Sequence, residues 1–384
     1  MADGDQPIPE AQQRQIEGLL RERFASQDEQ TDYLSAVLMS RMNVILYGPP
    51  GTGKTYSALE VAAAWRKANG PESVFQVTFH PSYSYEDFVE GYRPVPGSPG
   101  VYDLRDGVLL QAGLEADKRL KAAETSGSPV TRVLLLIDEI NRGDVARILG
   151  ESVTYLEADK RGVPFTLAQS ADKRREIPQN LYLLGTMNTA DKSISLLDVA
   201  LRRRFAFIEF RPESGAFASA PDWLEEVGGI PLGAVLDGLN ERLRREGIDA
   251  DRSIGQALLA VQAGSAEPLA ELESRFRFDV QPLIEEYCYA ERARARRILG
   301  DYVDVTGRRA RVTPEEFQRL IESIAKDAPG WDVAAPAPAS EVDEPAVGGS
   351  DVVLGTAAAD DASGPPAAED DATSATTEAP DEAT

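Results

Sequence analysis

Val44-Ile-Leu-Tyr47 runs directly into Gly48-Pro49-Pro50-Gly51-Thr52-Gly53-Lys54-Thr55, and Tyr56-Ser-Ala-Leu-Glu-Val-Ala-Ala-Ala-Trp65 follows. The apolar run reads as a buried strand and the segment after it as a helix. A glycine-rich loop between strand and helix is the context that a phosphate-binding loop requires. The glycines let backbone N–H groups turn inward around a polyphosphate, and the helix N-terminus adds positive potential. Lys54 is expected to reach the β- and γ-phosphates and the Thr55 hydroxyl to bind Mg²⁺.

The same logic extends along the chain. Val74-Phe-Gln-Val-Thr-Phe79, Val133-Leu-Leu-Leu-Ile137, Leu181-Tyr-Leu-Leu-Gly185 and the segment 205–210 read as further strands, separated by helical stretches such as 108–124. Residues 94–107 are rich in Gly and Pro and read as a hairpin or loop. Strands alternating with helices predict a doubly wound α/β sheet. Beyond Pro212 the segments 231–246, 256–263, 269–289 and 314–328 read as helices of a separate subdomain.

Asp138-Glu139 follows the most apolar strand, at the sheet edge where open α/β folds bind ligands. Asp138 is placed to hold Mg²⁺ and Glu139 to polarise an attacking water. Asn188 ends the next apolar strand, as a partner for the γ-phosphate or the lytic water, or as a turn residue. Arg202-Arg203-Arg204 precede a strand, where an arginine finger of a ring-forming P-loop protein is expected.

Composition narrows the alternatives. The 384 residues carry a net charge of −24, and thirteen acidic and no basic side chains lie from Asp332 onward, leaving −11 for the rest. A broad DNA-binding face is not advertised, although the basic run 292–297 and the three arginines remain local contact points. One cysteine, Cys288, excludes an intrachain disulfide, and one histidine, His80, argues against a His-based metal site or triad. No signal peptide or membrane-spanning run is evident, so the cytoplasm is the expected compartment. Residues 11–24 have amphipathic helical spacing, and 32–42 read as a helix leading into the first strand. The aromatic residues Tyr83, Tyr85 and Tyr92 with His80 read as packing, and Cys288 as a small buried residue. The tail beyond about 331 cannot bury enough apolar surface to order itself.

Phosphate loop, Asp138-Glu139, Asn188 and the arginines together resemble an AAA+ ATPase, and three stretches resemble the McrB family more narrowly. These are Phe79-His-Pro-Ser-Tyr-Ser-Tyr-Glu-Asp-Phe-Val-Glu-Gly-Tyr-Arg-Pro94, Asp138-Glu-Ile-Asn-Arg-Gly-Asp144 through Gly150-Glu151, and Met187-Asn-Thr-Ala-Asp-Lys-Ser193 running on through Asp198 to Phe205. The resemblance covers roughly residues 30–300. Taken with the composition, it gives an N-terminal extension (1–28), a P-loop AAA+ α/β subdomain (29–212) and a small helical lid (213–330), followed by an acidic tail (331–384) whose composition predicts disorder. It implies that Asn188 and Asp191 belong to a signature loop beside the nucleotide. Arg203 would be the trans-acting finger, with Arg202 and Arg204 as alternatives. It further implies a ring, expected to be hexameric, that hydrolyses ATP or GTP with Mg²⁺ and is engaged by a McrC-like nuclease subunit. Lys192 stands where the family has arginine, and Gln256 and Ala257 replace the usual His and Ser, which predicts a weaker sensor-like contact. So short an N-terminal extension predicts that DNA recognition comes from a partner. A nucleotide-gated scaffold and a MoxR-like chaperone are the competing readings.

Overall fold

A computed structural model describes residues 27–190, 199–302 and 312–331 of the chain. The helix expected over 11–24, Asp191 and Lys192 of the signature loop, and the acidic tail from Asp332 lie outside the described residues.

Five parallel strands form the central sheet in the order β2-β5-β6-β1-β7: β1 Asn43–Gly48, β2 Val74–Thr78, β5 Val133–Asp138, β6 Leu181–Asn188 and β7 Ala206–Glu209. Successive side chains of a strand face opposite sides, and the apolar runs use both. Val133, Leu135 and Ile137 enter one core with Ile45, Leu181, Leu183 and the helix α4 (Val108–Ser126). Leu134 and Leu136 enter another with Val44, Leu46 and Leu184, covered by α1 (Gln27–Arg41) and α2 (Lys54–Asn69). Burying one such leucine contributes about 1.5–3 kcal/mol, which is why these strands are apolar throughout rather than alternating.

Between β2 and α4 the chain makes a short helix, α3 (Tyr85–Phe88), and a hairpin of β3 (Glu90–Pro94) and β4 (Tyr102–Asp106). Phe79 and Phe88 are buried against one another, and the Tyr85 hydroxyl donates to Glu151 Oε1 at 3.1 Å. Tyr83 and Tyr85 therefore pack, as expected, but Tyr92 is 57% exposed on the hairpin. A short helix, α5 (Val145–Leu149), follows the acidic pair, and α6 (Val199–Arg204) precedes β7.

Past α7 (Ala216–Ser219) and the small β8–β9 ladder (Glu226–Val227, Ile230–Pro231), the remaining helices surround a separate core. These are α8 (Leu232–Arg245), α9 (Pro268–Arg275), α10 (Gln281–Tyr287), α11 (Arg292–Leu299) and α12 (Pro314–Ala325), closing over Leu236, Leu239, Leu272, Phe276, Ile298 and Phe317. Two expectations change here. The helix expected over 269–289 is interrupted by a π turn at Phe276–Val280, just before Pro282. Proline lacks an N–H and its ring clashes with the carbonyl four residues back, so the helix widens there. The helix expected over 256–263 is a single 3₁₀ turn, Gln256–Leu258, closed by Leu258 N donating to Gly255 O and Leu259 N to Gln256 O. The basic run 292–297 is helical, and both Nε and Nη2 of Arg297 donate to the Glu246 carboxylate at 2.8 Å. Cys288 is buried at the end of α10. No described helix is long and apolar enough to cross a membrane.

Candidate active site

The carboxyl ends of β1, β5 and β6 meet at one sheet edge. Gly48 pairs in register with Asn188, and Asp138 ends the strand on the far side of β6. Gly51 and Gly53 adopt φ of 76° and 91°, a region that side chains with a Cβ rarely enter, so the loop after β1 can curl back on itself. Within that curl the Thr52 hydroxyl donates to Pro49 O at 2.9 Å and Lys54 Nζ donates to the same carbonyl at 2.7 Å. Lys54 is only 5% exposed. Burial lowers its pKa to about 8, against the opposing pull of Glu139 and Asp138.

A continuous hydrogen-bonded chain links this loop to the acidic pair. Thr55 Oγ1 donates to Asp138 Oδ1 at 3.1 Å, and Thr186 Oγ1 donates to the same oxygen at 2.5 Å. Thr186 Oγ1 in turn accepts the Glu139 N–H at 3.1 Å. Glu139 is a non-glycine residue at φ 54°, a strained conformation of the kind concentrated at functional sites. Its Oε1 accepts from Asn188 Nδ2 at 2.7 Å, and its Oε2 lies 3.4 Å from Arg142 Nε. Asn141 Nδ2 donates to Asn188 O at 3.0 Å, fixing the end of β6.

Sequence reading thus placed Gly48 to Thr55, Asp138, Glu139 and Asn188, and the fold brings all of them together. It missed Thr186, Asn141 and Arg142. Thr186 was findable: it shares strand parity with Asn188 on β6, and that face leads to Asp138 on β5.

The three arginines sit elsewhere. They occupy the last turn of α6, at the amino end of β7. Arg204 O accepts from Asn43 Nδ2 at 2.9 Å, so it lies level with the start of β1. Five residues at ~3.3 Å each put that level about 16 Å from Gly48. Arg204 Nη2 is also ion-paired with Glu157 Oε1 at 2.7 Å and is 12% exposed, whereas Arg202 and Arg203 are exposed. The guanidinium of Arg202 rests 5.8 Å from the Phe207 ring centroid.

The helical part closes on the phosphate loop through the stretch 253–258. Gly255 N donates to Pro50 O at 3.0 Å, Ala257 N to Gly51 O at 2.9 Å and Gln256 Nε2 to Thr52 O at 3.2 Å. Gln256 Oε1 accepts from Glu213 N at 3.2 Å. These donors face loop carbonyls.

Comparison with known proteins agrees with this geometry. Residues 43–205 match the AAA domain (dynein-related subfamily), and residues 231–296 match the McrB alpha-helical lid domain. The chain belongs to the McrB-like AAA+ proteins. It is 32% identical over 286 residues to the type IV methyl-directed restriction enzyme EcoKMcrB subunit of Escherichia coli (strain K12), covering 69% of this chain and 58% of that one. It is 31% identical over 196 residues to the type II restriction enzyme BsuMI component YdiS of Bacillus subtilis (strain 168), covering 43% and 56% respectively. The chain therefore spans a little over half the length of these curated relatives. As a McrB-like AAA+ protein it is a P-loop nucleoside triphosphatase.

Proposed function

We propose that this McrB-like chain is the motor subunit of a restriction-type complex, hydrolysing ATP or GTP at sites shared between neighbouring copies in a ring. The observation that carries the reading is the unbroken path from Thr55 through Asp138 and Thr186 to Glu139 and Asn188. It joins a phosphate cradle to a positioned carboxylate. The Thr55 hydroxyl and the Asp138 carboxylate, 3.1 Å apart, are hard oxygen donors that suit Mg²⁺, with phosphate and water oxygens completing the set. Bound there, Mg²⁺ would neutralise phosphate charge.

Each residue then has a defined task. The loop N–H groups and Lys54 hold the phosphates, Lys54 exchanging Pro49 O for a phosphate oxygen. Glu139, aimed by Asn188, takes a proton from water as the water oxygen attacks the terminal phosphorus and the bond to the bridging oxygen breaks. The cation that neutralises this step comes from a neighbour. The end of α6 that carries a subunit's own Arg202 and Arg203 is level with the start of β1, at the opposite end of the sheet from its own phosphate loop. We assign the finger to Arg203, with Arg202 beside it and Arg204 as an anchored support. The restriction role and a nuclease partner that contacts DNA follow from the likeness to the two restriction-enzyme relatives. A scaffold with slow hydrolysis draws support from Gln256, which meets the loop's backbone rather than offering a cation to phosphate.

Steady-state hydrolysis of ATP and GTP, side by side, tests the reading. Glu139→Gln should keep nucleotide binding and lower kcat about 10²–10⁴-fold. A strong GTP preference supports the restriction motor, and an ATP preference keeps the AAA+ motor alone. Turnover unchanged by Glu139→Gln would remove Glu139 from its role.

A further inference from the structure

Arg161 is 4% exposed, yet no carboxylate is among its hydrogen-bond acceptors. Burial lowers its pKa to about 10, so it is still a cation at neutral pH. A buried cation is costly unless fully hydrogen-bonded, and here four neutral oxygens from separate segments surround it. Nε donates to Leu156 O at 3.2 Å, Nη1 to Leu181 O at 3.1 Å and Pro178 O at 3.4 Å, and Nη2 to Asn43 Oδ1 at 2.6 Å.

The last contact fixes which way the Asn43 amide points. Its oxygen faces Arg161, so its nitrogen faces two carbonyls, Leu156 O at 2.8 Å and Arg204 O at 2.9 Å. Asn43 is itself 2% exposed. Arg204 is thus gripped twice: its carbonyl by Asn43, and its guanidinium by Glu157, which adjoins Leu156. We infer that the Arg161–Asn43 pair, with Glu157, is a positioning device that sets the end of α6 and so aims the exposed Arg203 at the neighbouring subunit's nucleotide. Asn43 opens β1, at the opposite end of that strand from the phosphate loop. The inference rests on the shared-site reading above, and it adds residues that act on the reaction through another subunit.

Asn43→Asp probes the device, with circular dichroism to show that the variant is folded. The new carboxylate still accepts from Arg161, but both donors to Leu156 O and Arg204 O are gone. Misplacing a catalytic group by about 1 Å costs about 10² in rate, so kcat should fall about 10²-fold while nucleotide Kd stays at the wild-type value. Glu157→Gln, which weakens the grip on the Arg204 side chain and the ion pair with Lys160 but leaves the Asn43 bond to Arg204 O, should lower kcat by a smaller factor. Mixing provides the decisive readout. Glu139→Gln subunits cannot hydrolyse but carry an intact finger, so adding them to Asn43→Asp subunits should restore turnover above that of either variant alone. Arg203→Ala mixed with Glu139→Gln is the reference. Recovery with Arg203→Ala but not with Asn43→Asp overturns the positioning device and leaves the shared site standing. No recovery with Arg203→Ala overturns the shared site and the device with it. An unchanged kcat in Asn43→Asp overturns the device alone.

Discussion

Lys54 illustrates how a single buried charge links binding to pH. Burial draws its pKa from 10.5 to about 8 in the nucleotide-free protein. An adjacent polyphosphate favours the ammonium and pushes the value back up, so binding above pH 8 takes up a proton. Nucleotide Kd should rise by up to about tenfold per pH unit above 8. Fluorescence titration from pH 7 to 9.5 checks this, with Lys54→Arg expected to give a flat profile. The stability of the free protein moves the other way. Its unfolded chain holds the Lys54 proton between pH 8 and 10.5 while the folded chain does not, so this group's contribution to stability rises with pH over that window. Thr186 tests the network between the carboxylates. Thr186→Val leaves the Glu139 N–H without its acceptor and Asp138 Oδ1 with Thr55 as its remaining donor, at a cost of about 1–3 kcal/mol. Thermal denaturation should show that loss, and kcat should fall with it. The sequence disclosed Lys54, Asp138 and Glu139 because each lies in a contiguous motif whose chemistry is local. It could not disclose that Arg161 meets Asn43, 118 positions away, because only the folded sheet brings them together.

At the scale of elements, apolar and β-branched patterning located every strand of the central sheet: β1, β5 and β6 are buried on both faces and read as unbroken runs, whereas the edge strand β2 alternates and is partly exposed. It failed where a backbone found partners outside its own segment. The stretch after Gly255 has the composition of a helix, yet it makes one 3₁₀ turn whose Ala257 N–H and Gln256 amide bond the phosphate loop. Gly255 is required by that approach: a Cβ there would lie 2.1 Å from Gly51 C and 2.4 Å from Thr52 N, both backbone atoms that cannot yield. Gly255→Ala should lift the 253–258 stretch off the loop at a cost of about 1–3 kcal/mol. Nucleotide affinity should weaken roughly 5- to 150-fold. The separate core around Leu236 and Phe317 does not include Gly255, so the variant should still fold, as circular dichroism would show. An unaltered Kd would mean that this contact plays no part in forming the nucleotide site.

For the whole molecule, the decisive fact is the distance within one subunit between the arginines and the phosphate loop. Both sit on the same parallel sheet, the loop at its carboxyl edge and α6 at its amino edge. Closing that gap inside one chain would require dismantling β1 and β7, whose four-residue register holds them side by side. On the shared-site proposal a complete site needs two copies, and dilution should remove activity without unfolding anything. Turnover per subunit should climb with protein concentration and level off as assembly completes. The climb should move to higher concentration with added salt if exposed Arg203 meets an acidic neighbour, since such contacts are screened within about 10 Å at 0.1 M. Arg203→Ala should show a low plateau at every concentration, because assembly then supplies no finger. Sedimentation run beside the kinetics separates the explanations. Full per-subunit turnover from a sample that sediments as a monomer would mean that one chain completes its own site, and the arginine at the amino edge would then need another task.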